Sequence, residues 1–199
     1  MQLNYLKRYL NSMTATSPKI RISCDDGCES DLRLAALAKK YDVECIFYWP
    51  IEHRSLAFDK GYKPLILLDQ LRIANEFEIG AHTVTHRHLT RMSQEEAEIE
   101  ILDSKVILEY MFEKEITKFC PPRGYINEPL TEYVMKHFDS QRLTRGLGLV
   151  HIHPNSGANG NIHWRAAVDE TTEELWCHSW ELDKYGLWDE LEEFLEEQV

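Results

Sequence analysis

Two pairs of side chains in this 199-residue sequence have the type and spacing to hold a cation between them. Asp25 and Asp26 are adjacent carboxylates at the end of an apolar run, and His82 and His86 stand four residues apart in H-T-V-T-H. If the second segment turns helically after its strand, the two imidazoles come close enough to share an ion. In a chain with nine histidines, H-x-x-x-H alone is as readily a packing feature as a ligand pair. The carboxylates add weight, because neighbouring charges at a strand end repel and are costly unless a cation or a hydrogen-bond network holds them. A plainer role for one of them is to cap the helix that follows. Gly27, directly after, fits a tight turn in which backbone approaches a ligand closely. His151-x-His153 could bind an ion on one strand face, since residues two apart point the same way, but it is the weaker candidate.

The elements that must position these groups alternate along the chain. Short apolar runs at 20–24, 43–49, 79–83, 116–120, 147–152 and 175–180 read as strands, with helical patterns between them. Leu34, Leu37, Ala38 and Tyr41 recur at the spacing of one helix face. Ser93 and Glu96 form a capping box ahead of a second stripe, Ala97, Ile101, Leu108 and Met111. The acidic tail from Leu187 repeats the pattern with Leu191 and Leu195, its charges on a solvated face. Such β/α units build a parallel sheet whose strand ends share one face, where chemistry collects. Asp25 and Asp26, His82 and His86, Pro121 to Arg123, and His178 all fall at such ends. The expected fold is an α/β, distorted parallel (β/α) barrel. At this length it should have seven strands, or eight with very short connections, because a full eight-unit barrel takes about 250 residues. No repeat or linker divides the chain, so residues 1–199 are expected to form one catalytic domain, with motifs from about 20 to 190.

Together, Cys24-Asp25-Asp26-Gly27, His82-Thr-Val-Thr-His86, Phe119-Cys-Pro-Pro-Arg-Gly124 and His178 resemble in order and spacing the motifs of the polysaccharide deacetylases, the NodB-homology or carbohydrate esterase family 4 domain. The segment from Cys45 to Pro50 is similar to the family's second strand. The resemblance implies that Asp26, His82 and His86 bind one divalent metal ion, zinc first, with other transition metals acceptable to the same donors. It implies Asp25 as the general base for water and His178 as the general acid for the departing amine. The reaction implied is N-deacetylation: hydrolysis of the acetamide of an N-acetylhexosamine unit in a glycan or glycan precursor, releasing acetate.

Three positions depart from the family pattern. Cys120 stands where an arginine usually orients the base, and Arg123, three residues on, is expected to supply the missing guanidinium. Cys24 replaces an aromatic residue. The segment 151–169 matches poorly where the family has an Asp and a Trp that support the acid, leaving Asp169 and Trp164 as candidates. Sugar rings stack on flat apolar faces, so Trp180 is the first choice for a substrate platform, followed by Trp49 and Tyr125.

Composition narrows the partners. The formal charge of −12 argues against nucleic acid or an anionic lipid surface as a partner and is easier to reconcile with a neutral or locally recognised substrate. The resemblance implies that this substrate is a carbohydrate bearing N-acetyl groups. No run approaches the roughly 20 apolar residues of a membrane span, and no export signal is evident, so a cytoplasmic location and an intracellular target are expected. Five cysteines without a C-x-x-C pair are expected to be reduced and mostly buried. Two other readings stay open: hydrolysis of another linear or cyclic amide, or a saccharide-binding homologue without turnover. The oligomeric state is not legible.

Overall fold

The structure is a computed structural model that describes residues 19–143, 149–151, 163–165 and 172–197. It opens with strand β1 (Lys19–Asp25), helix α1 (Asp31–Lys40) and strand β2 (Glu44–Trp49). Two helices, α2 (His53–Lys60) and α3 (Leu67–Glu76), precede β3 (Glu78–Ala81). A short 3-10 turn at Leu89–Arg91 leads into α4 (Gln94–Phe112), then β4 (Lys118–Phe119) and a second 3-10 turn at Pro122–Gly124. Next come α5 (Glu128–His137), β5 (Ser140–Gln141), β6 (Leu149–His151), β7 (His163–Arg165) and β8 (Thr172–Cys177). Helices α6 (Ser179–Tyr185) and α7 (Trp188–Glu196) follow.

The strands form one sheet in the order β5-β4-β3-β2-β1-β8-β7-β6. Six of them, β1 to β5 and β8, are parallel and curl into a half-barrel. β7 pairs antiparallel with both β8 and β6. The α/β expectation holds; among the described residues the sheet has eight strands, one more than the seven expected first, and six of them are parallel. After β5 the sheet gains β6 and the reversed strand β7 before the last parallel strand, β8, which pairs with β1. The sequence reading missed β5 and β7, each three residues or shorter, and a run that short has no periodicity to read.

Alternation along the inner strands divides the two faces. Cys45, Phe47 and Trp49 join Ile20, Ile22 and Cys24 in the main core under the helices. Ile46, Tyr48 and Cys120 make a small separate cluster on the other face. Both faces of β2 are covered, which explains its near-continuous apolar run. The predicted capping box on α4 is present in both directions between Ser93 and Glu96. Its stripe buries Ala97, Ile101 and Leu108, and it also carries inward two polar residues, Glu100 and Ser104.

All five cysteines are buried and none is in a disulfide, as expected. Among the described residues no helix is long and apolar enough to cross a membrane.

Candidate metal centre and active site

The site is built where β1, β3 and β8 end. β1 delivers Asp25 on the face shared with Tyr48, its register partner on β2. Asp26 then turns with a left-handed backbone, φ 83°, followed by Gly27 at φ 72°. The expected tight turn is there, and it demands glycine. A Cβ on Gly27 would lie 3.2 Å from the Trp49 ring and 3.3 Å from His53 Cβ. The turn sends the two adjacent carboxylates to different neighbours.

His82 and His86 also meet, but not by the expected helical turn. Thr83 and His86 both have positive φ, 67° and 58°, and the ring centroids come to 4.9 Å. This loop is cradled by the buried Glu100 carboxylate, which accepts hydrogen bonds from the Val84 and Thr85 amides at 2.9 Å each and from the Thr85 hydroxyl at 2.6 Å. The Thr83 hydroxyl in turn accepts the His86 amide. The sequence did carry a signal for Glu100: a charged residue set at core spacing between Ala97 and Ile101.

Three ligand-type atoms converge. His86 Nε2 lies 3.2 Å and His82 Nε2 3.8 Å from Oδ1 of Asp26. That oxygen is buried and accepts no hydrogen bond. Its companion, Oδ2, is held by Lys60 Nζ at 2.7 Å and by the Trp180 indole N–H at 3.3 Å. The His82 Nδ1–H donates to the Cys120 carbonyl at 2.6 Å, which leaves Nε2 as the bare acceptor. Burial pushes the His82 pKa down to about 4, so the ring is neutral near pH 7 and has no proton to shed before binding an ion. Unpartnered carboxylate oxygen and bare imidazole nitrogen are the donors a divalent transition metal takes, so the residues fit such an ion. A second trio, Asp25, His82 and Cys120, also lies within 4.8 Å, but its carboxylate is already engaged.

Asp25 pairs with the guanidinium of Arg142, just beyond β5. The guanidinium is buried and lies over the rings of Tyr48 and Trp176, 5.1 and 5.5 Å from their centroids. Burial raises the Asp25 pKa, but Arg142, with His82 and His178 behind it, outweighs burial and holds it below the ordinary carboxylate value. This corrects one expectation. The arginine on Asp25 is Arg142, not Arg123. Cys120 occupies the usual position with its thiol 3.9 Å from Asp25, and the next strand brings a replacement into the same space. Nothing local in the sequence marks Arg142, because its partner Asp25 lies 117 residues upstream.

His178 sits between β8 and α6. Its Nδ1 bonds Glu181 at 3.0 Å, and its Nε2 is 3.7 Å from Asp26 Oδ2. Burial opposes charge on this ring, but the Asp26 carboxylate and then Glu181 prevail, raising its pKa. Glu181 was missed, although H-x-x-E at a helix start places it within reach. Asp169, one expected partner, and His153 lie outside the described residues. For Trp164 and His151 only the strand backbone is described.

A cavity of about 280 Å³ joins Asp25, His82, His86, His178, Trp176 and Arg123. Trp176 is an aromatic wall the sequence reading passed over. Trp180 lines a neighbouring space of about 580 Å³, stacked on Tyr62 with centroids 5.6 Å apart. Trp49 is no platform: it is fully buried, and its indole N–H bonds Asp31 at 2.9 Å. Tyr125 is not among the residues lining these cavities; it stacks on His88 with centroids 5.1 Å apart. Slight burial and then the charges of Arg91 and Arg123 hold the His88 pKa below its ordinary value.

The polysaccharide deacetylase family matches residues 12–138, more than half of the chain. The chain belongs to this family. It is 32% identical over 111 residues to a Bacillus cereus peptidoglycan-N-acetylglucosamine deacetylase, a match covering 55% of this chain and 48% of that protein. The match thus spans about half the length of that curated relative. The acetate complex of PplD, a Streptococcus pyogenes deacetylase, superposes with a TM-score of 0.55 at 18% identity, covering 86% of this chain and 70% of the other. A pseudoenzyme of carbohydrate esterase family 4 from Bacillus anthracis gives 0.50 at 16% identity, over 62% and 42%. At these identities the two structures establish a shared fold.

Proposed function

We propose that the chain is a metal-dependent N-deacetylase that hydrolyses the acetamide of an N-acetylhexosamine unit in a glycan, and that it acts as one catalytic domain. The observation that carries this reading is the buried Oδ1 of Asp26 facing the Nε2 atoms of His82 and His86 beside a carboxylate locked to an arginine. Asp26, His82 and His86 would hold the ion, zinc first among the divalent candidates. Such an ion supplies Lewis acidity toward the acetamide carbonyl.

The other steps belong to the chain's own groups. Asp25, kept ionised and oriented by Arg142, accepts a proton from the attacking water. His178, fixed through Nδ1 by Glu181, offers Nε2 to the amine as the C–N bond breaks. Trp176 gives the small cavity an apolar wall suited to a methyl group.

The related Bacillus cereus protein acts, by its name, on peptidoglycan N-acetylglucosamine, which makes such glycans the first substrates to try. Metal content is measured on the purified chain, followed by acetate release from N-acetylglucosamine oligomers. One bound ion with acetate release supports the proposal. Bound ion without acetate turns the reading to another amide, and absence of both leaves a saccharide-binding homologue without turnover.

A further inference from the structure

Beside the cavity runs a second groove, about 420 Å³, whose lining reverses the charge of the chain. Acidic residues outnumber basic ones 34 to 22 overall, yet this groove carries Arg87, Arg91 and Arg123 against a single carboxylate, Asp59. Arg87 and Arg91 make no ion pair with a carboxylate among the described residues. The groove is continuous with the cavity, because His86, Leu56 and Arg123 line both.

The arginines stand on built supports. Arg87 and Arg91 belong to the loop after β3, which is anchored by the fully buried Leu89 and closed by the 3-10 turn at Leu89–Arg91. Arg123 sits in the turn after β4 with a left-handed backbone, φ 62°, a conformation that costs a non-glycine residue free energy. The stack of His88 on Tyr125 ties the two loops together. Guanidinium groups bind carboxylate and phosphate oxygens in bidentate fashion, and a neutral sugar offers them no such partner.

We propose that this groove is a subsite for an oxyanion of the substrate, carboxylate or phosphate, borne on the sugar next to the one whose acetamide enters the cavity. The proposal rests on the deacetylase reading and narrows its substrate class to anionic glycans. Arg87, Arg91 and Arg123 are its specificity residues.

The test compares three substrates of equal length: a neutral N-acetylglucosamine tetramer, a tetramer alternating N-acetylglucosamine with N-acetylmuramic acid, and the neutral tetramer phosphorylated at its reducing end. At least one anionic substrate should be preferred by about tenfold or more through KM, the range of one charge-assisted contact. The preference should shrink as salt screens the groove. It should also collapse in Arg87→Gln/Arg91→Gln, and the preferred arm identifies carboxylate or phosphate. Equal KM on all three, or a preference that survives the double substitution, overturns the subsite while leaving deacetylation standing. If no acetate is released, calorimetric titration of the same tetramers still decides. Anion-selective binding lost in the double variant supports the subsite, and indifferent binding refutes it.

Discussion

The mouth of the sheet and the pocket behind α1 both bury aspartates, and they treat them in opposite ways. Asp31 is fully buried among neutral donors: the Ser179 hydroxyl, the Trp49 indole at 2.9 Å and the Cys24 thiol at 3.4 Å. Burial prevails there over those hydrogen bonds and lifts its pKa to about 7. Asp25 and Asp26 are buried just as deeply but face a guanidinium, imidazoles and an ammonium, and both are held below the ordinary value despite burial. Burial alone therefore does not mark a working carboxylate. What marks it is the cationic company assembled around it, which keeps the charge in place.

Within the mouth the two aspartates diverge again, and the largest effects should separate them. His82→Ala should empty the Asp26 side, abolishing metal binding and with it acetate release. Asp25→Asn should keep the metal, read by elemental analysis, while turnover falls by about 10² to 10⁴, the range of a positioned base. Equal metal loss in both variants would erase the distinction between the two carboxylates.

Arg142 sharpens the comparison at the next scale. Removing one partner of a buried ion pair costs roughly 3–5 kcal/mol, so Arg142→Gln should lose stability of that order in urea denaturation. Arg142→Lys should recover part of that loss, and Arg123→Gln should cost less than Arg142→Gln. Were Arg123→Gln the more damaging, the placement of the guanidinium on Asp25 would be wrong.

The smallest effect concerns Asp31. Its pKa is raised on folding, from an ordinary 3.8 to about 7, so the folded form binds the proton more tightly. Its contribution to stability is fully present below pH 3.8 and is lost as pH rises through 7. The stability of the protein relative to Asp31→Asn, measured at pH 5 and pH 8, should therefore be smaller at pH 8. A gap independent of pH contradicts the neutral-donor account of this pocket.

The sequence made some of this legible and hid the rest for physical reasons. Asp25, Asp26, His82, His86 and His178 lie at the ends of apolar runs, and their types and spacing alone pointed to one site. The capping box at Ser93 and the face of α1 were readable because helix signals are local. Arg142 and Lys60 were not, since each meets its partner only after the sheet has closed and brought distant segments together. Trp49 was misplaced for a related reason: its indole N–H is answered by a buried carboxylate, which lets a large amphipathic ring sit in the core instead of at the surface.

The most direct test is X-ray diffraction from crystals grown with zinc, with anomalous data collected at the metal edge. One peak bonded to Oδ1 of Asp26 and to Nε2 of both His82 and His86, with Asp25 still on Arg142, is the predicted result. A peak elsewhere, or those three side chains turned away from any common ion, contradicts it.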